Sequence, residues 1–331
     1  MGKWTRKKVA WLIIGAVVVL GFLLEILARP RTKQLKEAIP FAQVGERKCR
    51  QRFLTGNRAA SEQIAVIKVA GEIYDRPESY YRRSLVEEII GQLEQAKEET
   101  KTKGIILKID SPGGSIIDVE KLYTKLKEVS NHKPVVALLE NVAASGGYYL
   151  ACAAEKIVAH PLTITGNIGA VMFLPNLGDL FEKKLGIRIK VIKSGRHKDI
   201  GSPWREMNRE EEQILQNLIN QAYQRFLDIV VKNRHLSPNQ VSLIKDGRIF
   251  SGEESKNIGL VDEIGTLDTA LEIAKKLANL KEAKAVQYYY RPSLFDLFFG
   301  YRESRFSLPG VPKIPEASLQ YLWLPEQAIT Q

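Results

Sequence analysis

Histidine and cysteine are scarce in this chain: four of the first and two of the second among 331 residues. Cys49 and Cys152 form no C-x-x-C pair and have no histidine pair nearby, which excludes a zinc or dithiol redox site of ordinary spacing. His132, His160, His197 and His235 stand apart, with no H-E-x-x-H among them. There is no G-x-S-x-G elbow, no Walker loop, no internal repeat and no low-complexity tract. A hydrolase built on this chain must therefore work without the usual signatures. Cys152 lies in the small apolar run Leu150-Ala151-Cys152-Ala153-Ala154 and reads as a buried, inert thiol.

What is present begins with charge. The formal net charge is +11, from 49 Lys and Arg against 38 Asp and Glu. Much of the excess brackets one apolar run: Lys3, Arg6, Lys7 and Lys8 before it, Arg29, Arg31, Lys33 and Lys36 after it. Anionic lipid headgroups account for that placement more simply than nucleic acid, so no nucleic-acid role is expected. Residues 9–28 carry a single charge, Glu25, and as a helix would span about 30 Å, the thickness of a bilayer core. A cleaved secretory signal is the rival reading. The run is long for one, and Leu27-Ala28-Arg29-Pro30 lacks an A-x-A-like cleavage site. Residues 1–29 are thus expected to be an uncleaved, single-pass anchor in the cell membrane. The positive-inside rule slightly favours a cytoplasmic N-terminus, with the remainder on the extracytoplasmic side.

Residues 30–62 are polar and basic and read as a linker. From 63 to 280 the apolar spacing switches repeatedly between the strand and helix periods. Strands are expected at 64–69, 104–109, 134–139, 156–159, 168–173 and 188–192. Helices are expected at 85–96, 119–129, 143–154, 209–233, after Ser237-Pro238, and at 267–277. Strands alternating with helices, several apolar on both faces, predict an α/β domain. Residues 281–331 are expected to be an irregular tail, with aromatic patches punctuated by Pro292, Pro309, Pro312 and Pro315.

Three stretches carry candidate chemistry. In Asn141-Val142-Ala143-Ala144-Ser145-Gly146-Gly147 a serine follows an apolar strand and starts a helix. Its hydroxyl would be exposed at a tight turn, beside backbone N–H groups able to receive negative charge. A plain N-cap serine has the same pattern. Ser111-Pro112-Gly113-Gly114 makes a second glycine turn at the like end of a neighbouring strand. Two such turns could supply the donors of an oxyanion hole. The segment Lys193-Ser194-Gly195-Arg196-His197-Lys198-Asp199 offers Lys193, His197 and Lys198 as bases, and spacing alone does not choose among them or exclude a solvated basic loop.

Together with Thr165-Gly166-Asn167-Ile168-Gly169 and Gly259-Leu260-Val261-Asp262-Glu263-Ile264-Gly265, these stretches resemble, in order, the motifs of the SppA family of signal peptide peptidases. The length resembles the family's short, single-repeat form. The resemblance implies a ClpP/crotonase-like fold of repeated ββα units and a ring-shaped homo-oligomer. It also implies cleavage of signal peptides left in the membrane after export, or of similar unfolded apolar peptides, with no metal or organic cofactor. On matched positions Ser145 is the nucleophile and Lys198 the general base, with an oxyanion hole at Gly146 and the Gly113-Gly114 turn. Where the family has a serine that helps to hold the lysine, this chain has Asn167, whose carbonyl can accept from an amine. The alternative is a catalytically impaired membrane scaffold of the same fold.

Overall fold

The computed structural model describes residues 48–76, 83–291 and 319–323. The apolar segment at 9–28 and most of the tail lie outside these residues. Among the described residues, no helix is long and apolar enough to cross a membrane.

The chain runs β1 (Arg50–Gly56), β2 (Gln63–Ala70), α1 (Leu85–Glu98), β3 (Thr102–Ser111), β4 (Gly113–Ser115), α2 (Ile116–Ser130), β5 (Val135–Ala144), α3 (Gly146–Ala151), β6 (Lys156–Ala159) and β7 (Ile164–Gly166). After a π-helical turn at Leu180–Lys184 come α4 (Arg209–Arg234), α5 (Pro238–Ile244), β8 (Ile249–Phe250), α6 (Gly252–Asn257), β9 (Glu263–Ile264), α7 (Leu267–Leu277), β10 (Lys284–Tyr289) and β11 (Gln320–Leu322). The main sheet has the order β1-β10-β2-β3-β5-β6-β9. Only the edge strand β1 runs antiparallel along that path. The result is an α/β fold with a mixed sheet.

The apolar strands are buried on both faces, and their side chains sort by parity. Ala65, Ile67 and Val69, with Ile105, Leu107 and Ile109 and with Val135, Ala137 and Leu139, join the core that packs α1, α2, α3 and α4. The intervening Ile64, Val66, Ile106, Val136 and Leu138 pack against Ala270, Leu271 and Ala274 of α7. Each fully buried aliphatic side chain contributes roughly 1.5–3 kcal/mol of transfer free energy. Several helices start at capping boxes, including Ser84 with Glu87 and Asn208 with Glu211, each side chain bonding the other's backbone N–H.

Five expectations are corrected. The span read as a linker up to residue 62 contains β1. The boundary after 280 falls before β10, which lies in the sheet between β1 and β2. The tail is not irregular throughout, because β11 pairs with β4. Residues 168–173 and 188–192 form no sheet strand; β7 takes the place beside β5, and Val171 makes only an isolated bridge, to Gln320. The expected helix at 143–154 is shorter, since β5 continues through Ala144 before α3 begins.

β3 and β5 run parallel and adjacent, with Ser111 opposite Ala143. The two glycine turns therefore leave the sheet side by side, at its C-terminal edge.

Candidate active site

Ser145 ends β5 and begins α3 with φ 52° and ψ −118°. These are the dihedrals of the first corner of a type II′ turn, a place normally given to glycine. A serine there is strained by roughly 1–3 kcal/mol and must be held by its surroundings. Its N–H donates to the Gly166 carbonyl at 2.9 Å, and its carbonyl accepts from Tyr149 N–H at 2.9 Å. β7 is fastened to β5 in turn, with Thr165 Oγ1 donating to the Ala143 carbonyl at 2.6 Å. Ser145 is only 1% exposed.

The glycines allow a close approach that side chains would block. A Cβ on Gly146 would sit 3.0 Å from Gly113 Cα, and one on Gly113 would sit 2.7 Å from Gly146 N and 1.9 Å from the Tyr321 carbonyl oxygen. The structure thus brings Gly113, Gly114, Gly146 and Ser145 together. Their N–H groups differ in availability. Gly146 is the first residue of α3, where the helix supplies no acceptor. Gly113 N–H donates to Ser111 Oγ at 3.1 Å. Gly114 lies opposite Tyr321 in the β4–β11 ladder. Trp323 N–H donates to Pro112 O and Ile116 N–H to Leu319 O. The alternation of an antiparallel ladder then makes Gly114 and Tyr321 a hydrogen-bonded pair.

A cavity of about 440 Å³ opens beside Ser145, walled by Phe173, by Ile219 and Tyr223 of α4, and by Leu322 and Trp323. Asn167 lines it too. It sits at φ 51°, a left-handed conformation that asparagine tolerates better than most residues. Its Nδ2 donates to the Gly247 carbonyl at 2.7 Å and its backbone N–H to the Arg248 carbonyl at 2.8 Å. With its amide nitrogen so engaged, its carbonyl oxygen is the group left to accept.

Lys198 is exposed and does not line this cavity; nor does His197, which lies 3.2 Å from Glu210 at the start of α4. The lysine among the residues lining the cavity is Lys245, just after α5, a residue the sequence reading passed over. That reading also missed β11. The aromatic and aliphatic run Tyr321-Leu322-Trp323 was its available signal, a short β-prone stretch amid prolines. Main-chain bonds tie β11 on its other side to Val171, with Val171 N–H to Gln320 O and Gln320 N–H to Val171 O, both 3.0 Å. The segment therefore lies extended, bonded along two sides, with Leu322 and Trp323 at the Ser145 cavity.

Behind the site Tyr149, Phe226 and Tyr321 pack ring on ring, and burial pushes the Tyr149 and Tyr321 hydroxyls far above their usual range. The Cys152 thiol, 1% exposed, is pushed up by burial to about 12 and is inert, as the sequence implied. Among the described residues, no group of three or more His, Cys, Asp or Glu side chains is placed to hold a metal ion.

Residues 127–281 match peptidase family S49, and residues 77–165 match the Clp protease family. A putative protease of Methanocaldococcus jannaschii is 40% identical over 232 residues, 69% of this chain and 74% of that protein. A putative signal peptide peptidase SppA of Enterococcus faecium is 33% identical over 293 residues, covering 84% and 83%. The chloroplastic serine protease SPPA of Arabidopsis thaliana is 35% identical over 237 residues, 70% of this chain and 34% of that longer protein.

Proposed function

Because this chain belongs to peptidase family S49 and is a serine peptidase, we propose that Ser145 is its nucleophile and Lys198, supplied by a neighbouring copy, its general base. The substrates proposed are signal peptides and similar apolar segments left in the membrane, reached from the extracytoplasmic side by a catalytic domain anchored through residues 9–28. The Enterococcus faecium relative, named a putative signal peptide peptidase, supports that substrate class by its name, and the apolar run supports the anchor.

The observation that carries the reading is β11. An extended main chain fits between β4 and Val171, beside Ser145, with Leu322 and Trp323 among the residues that line the cavity. A substrate strand displacing it would meet the same backbone groups and bring a scissile carbonyl to the serine. The uncharged lysine takes the hydroxyl proton as Oγ bonds to the carbonyl carbon. The resulting oxyanion is received by the N–H of Gly146 and by that of Gly114 in the Gly113-Gly114 turn, which displacement of β11 frees from Tyr321. The C–N bond then breaks, the lysine returns its proton to the leaving amine, and water releases the acyl group by the same route.

The exposure of Lys198 is the reason for assigning it to a neighbouring copy. Its loop joins the start of α4, whereas Ile219 and Tyr223, further along that helix, wall the cavity. Glu211 and Tyr223 are separated by about 18 Å of helix rise. Ser145→Ala and Lys198→Ala should each abolish cleavage of a quenched peptide with small residues at the scissile bond, and mixing the two under subunit exchange should restore activity. Loss on Lys245→Ala with full activity in Lys198→Ala would transfer the base to Lys245. No restoration on mixing, with exchange verified, would place the pair in one chain.

A further inference from the structure

The loop that carries Lys198 is fixed to an unusual degree for an exposed segment. Lys193 at its start and Asp199 at its end pair at 2.5 Å, closing residues 194–198 into a small ring. Lys193 Nζ also donates to the Arg196 carbonyl at 2.8 Å, and Lys198 N–H to the Gly195 carbonyl at 3.1 Å. Asp199 in turn accepts Arg205 Nε at 2.9 Å and Nη2 at 2.8 Å, a two-point fork. The far edge of the same guanidinium holds Glu211, with Nη1 at 2.8 Å from one carboxylate oxygen and Nη2 at 2.7 Å from the other.

Glu211 is no ordinary surface partner. It is 1% exposed, stands in the first turn of α4, and accepts Asn208 N–H at 3.2 Å in the capping box of that helix. Arg205 holds its carboxyl down to about 2, and holds that of Asp199 further below the usual range. Exposed ion pairs taken singly contribute little to stability. Two forks sharing one planar cation instead fix geometry. Since α4 also walls the Ser145 cavity through Ile219 and Tyr223, Asp199, Arg205 and Glu211 join the Lys198 loop and one cavity wall into a single rigid piece.

We propose that Asp199, Arg205 and Glu211 are positioning residues that set the place of the Lys198 amine relative to the helix framing the peptide cavity. The proposal rests on the reading of Lys198 as the base. The clamp touches neither substrate nor Ser145 within one chain and acts through Lys198. A base displaced by an ångström loses on the order of 100-fold in rate.

The test uses the full chain in detergent micelles, a quenched apolar peptide, and the variants Arg205→Ala, Asp199→Asn and Lys198→Ala. The first two should lower kcat by about 100-fold with KM held within about twofold, because the peptide groove is untouched. Added guanidinium ion should restore activity to Arg205→Ala and leave Lys198→Ala inactive. Should Arg205→Ala fail to fold, Asp199→Asn decides, since it removes one fork and leaves the α4 cap in place. Wild-type kcat in the folded clamp variants, with Lys198→Ala inactive, would overturn the clamp alone. Wild-type kcat in Lys198→Ala would overturn the base assignment and the clamp together.

Discussion

Replacing Ser145, the proposed nucleophile, with two different small residues separates strain from chemistry. Ser145→Ala and Ser145→Gly both delete the hydroxyl, so both should be inactive and neither can cleave itself. They differ at the backbone. Alanine inherits φ 52° and ψ −118° with its Cβ, whereas glycine occupies that region freely. Relief of the strained conformation should favour glycine by roughly 1–2 kcal/mol. The greater entropy of glycine in the unfolded chain opposes this by about 0.4–1 kcal/mol. The difference leaves Ser145→Gly more stable than Ser145→Ala by about 0.5–1 kcal/mol, and a domain of this size converts each kcal/mol into about 2–4 °C of Tm. Parallel thermal unfolding of the two proteins at one scan rate measures this directly. A glycine variant melting at or below the alanine variant would mean that Ser145 is not under backbone tension, and that the turn does not present the hydroxyl by force.

Gly113→Ala should be among the most damaging single-atom additions in the chain. Its Cβ would meet the Tyr321 carbonyl oxygen at 1.9 Å and Gly146 N at 2.7 Å, at φ +104°. Backbone strain and overpacking together suggest a loss of about 2–5 kcal/mol, read by denaturant unfolding, with residues 319–323 becoming sensitive to limited proteolysis. Asn167→Ser removes the bond to Gly247 and the tolerance of a left-handed φ, so stability should fall by about 1 kcal/mol while peptidase activity is kept. Activity lost at unchanged stability would instead give the Asn167 carbonyl a direct part in holding the base. Tyr321→Phe deletes the hydroxyl that donates to Ala222 O at 2.6 Å and should cost about 1 kcal/mol in thermal unfolding, the rings staying packed. Glu211, lowered by Arg205 from 4.5 to about 2, contributes stability that is complete above the higher value and is lost as pH falls through the lower. Wild type should therefore weaken between about pH 4.5 and pH 2, and Glu211→Gln should flatten that slope. An equal slope in the variant would remove Glu211 from the acid transition.

What was legible in the sequence follows from what each pattern encodes. Strands such as Gln63–Ala70 and Val135–Ala144, and helices such as Leu267–Leu277, lie close to where their spacing placed them, because both faces of the sheet and one face of each helix must be covered. The paired turns at Gly113 and Ser145 were legible because parallel neighbours end at one edge. Less visible were pieces whose partner is remote in sequence. The strand Arg50–Gly56 pairs across more than two hundred residues with Lys284–Tyr289, and nothing local in either marks that meeting. The run 188–192, with Ile187 before it, misled for the opposite reason. Ile187, Ile189 and Val191 alternate with charge as a half-buried strand does, yet all three are exposed, and among the described residues no strand pairs with them.

That exposure bears on the distance between Lys198 and Ser145. Large exposed apolar side chains concentrate in one stretch: Leu180, Leu185, Ile187, Ile189, Val191, Ile192 and Trp204, continuing onto α4 at Ile214 and Leu218. Scattered singly such residues need no explanation, but gathered around one loop they mark a surface that contacts something apolar. The Lys198 loop lies within this surface, stiffened from behind by Arg205, while the cavity at Ser145 contains no amine from that loop. A second copy seated on the apolar stretch would cover it and bring a lysine to a serine in one step. A membrane surface would cover it equally well but would leave the serine without this base. Mixing Ser145→Ala with Lys198→Ala distinguishes the two, since only contact between copies can rebuild an active pair from halves that are each inactive.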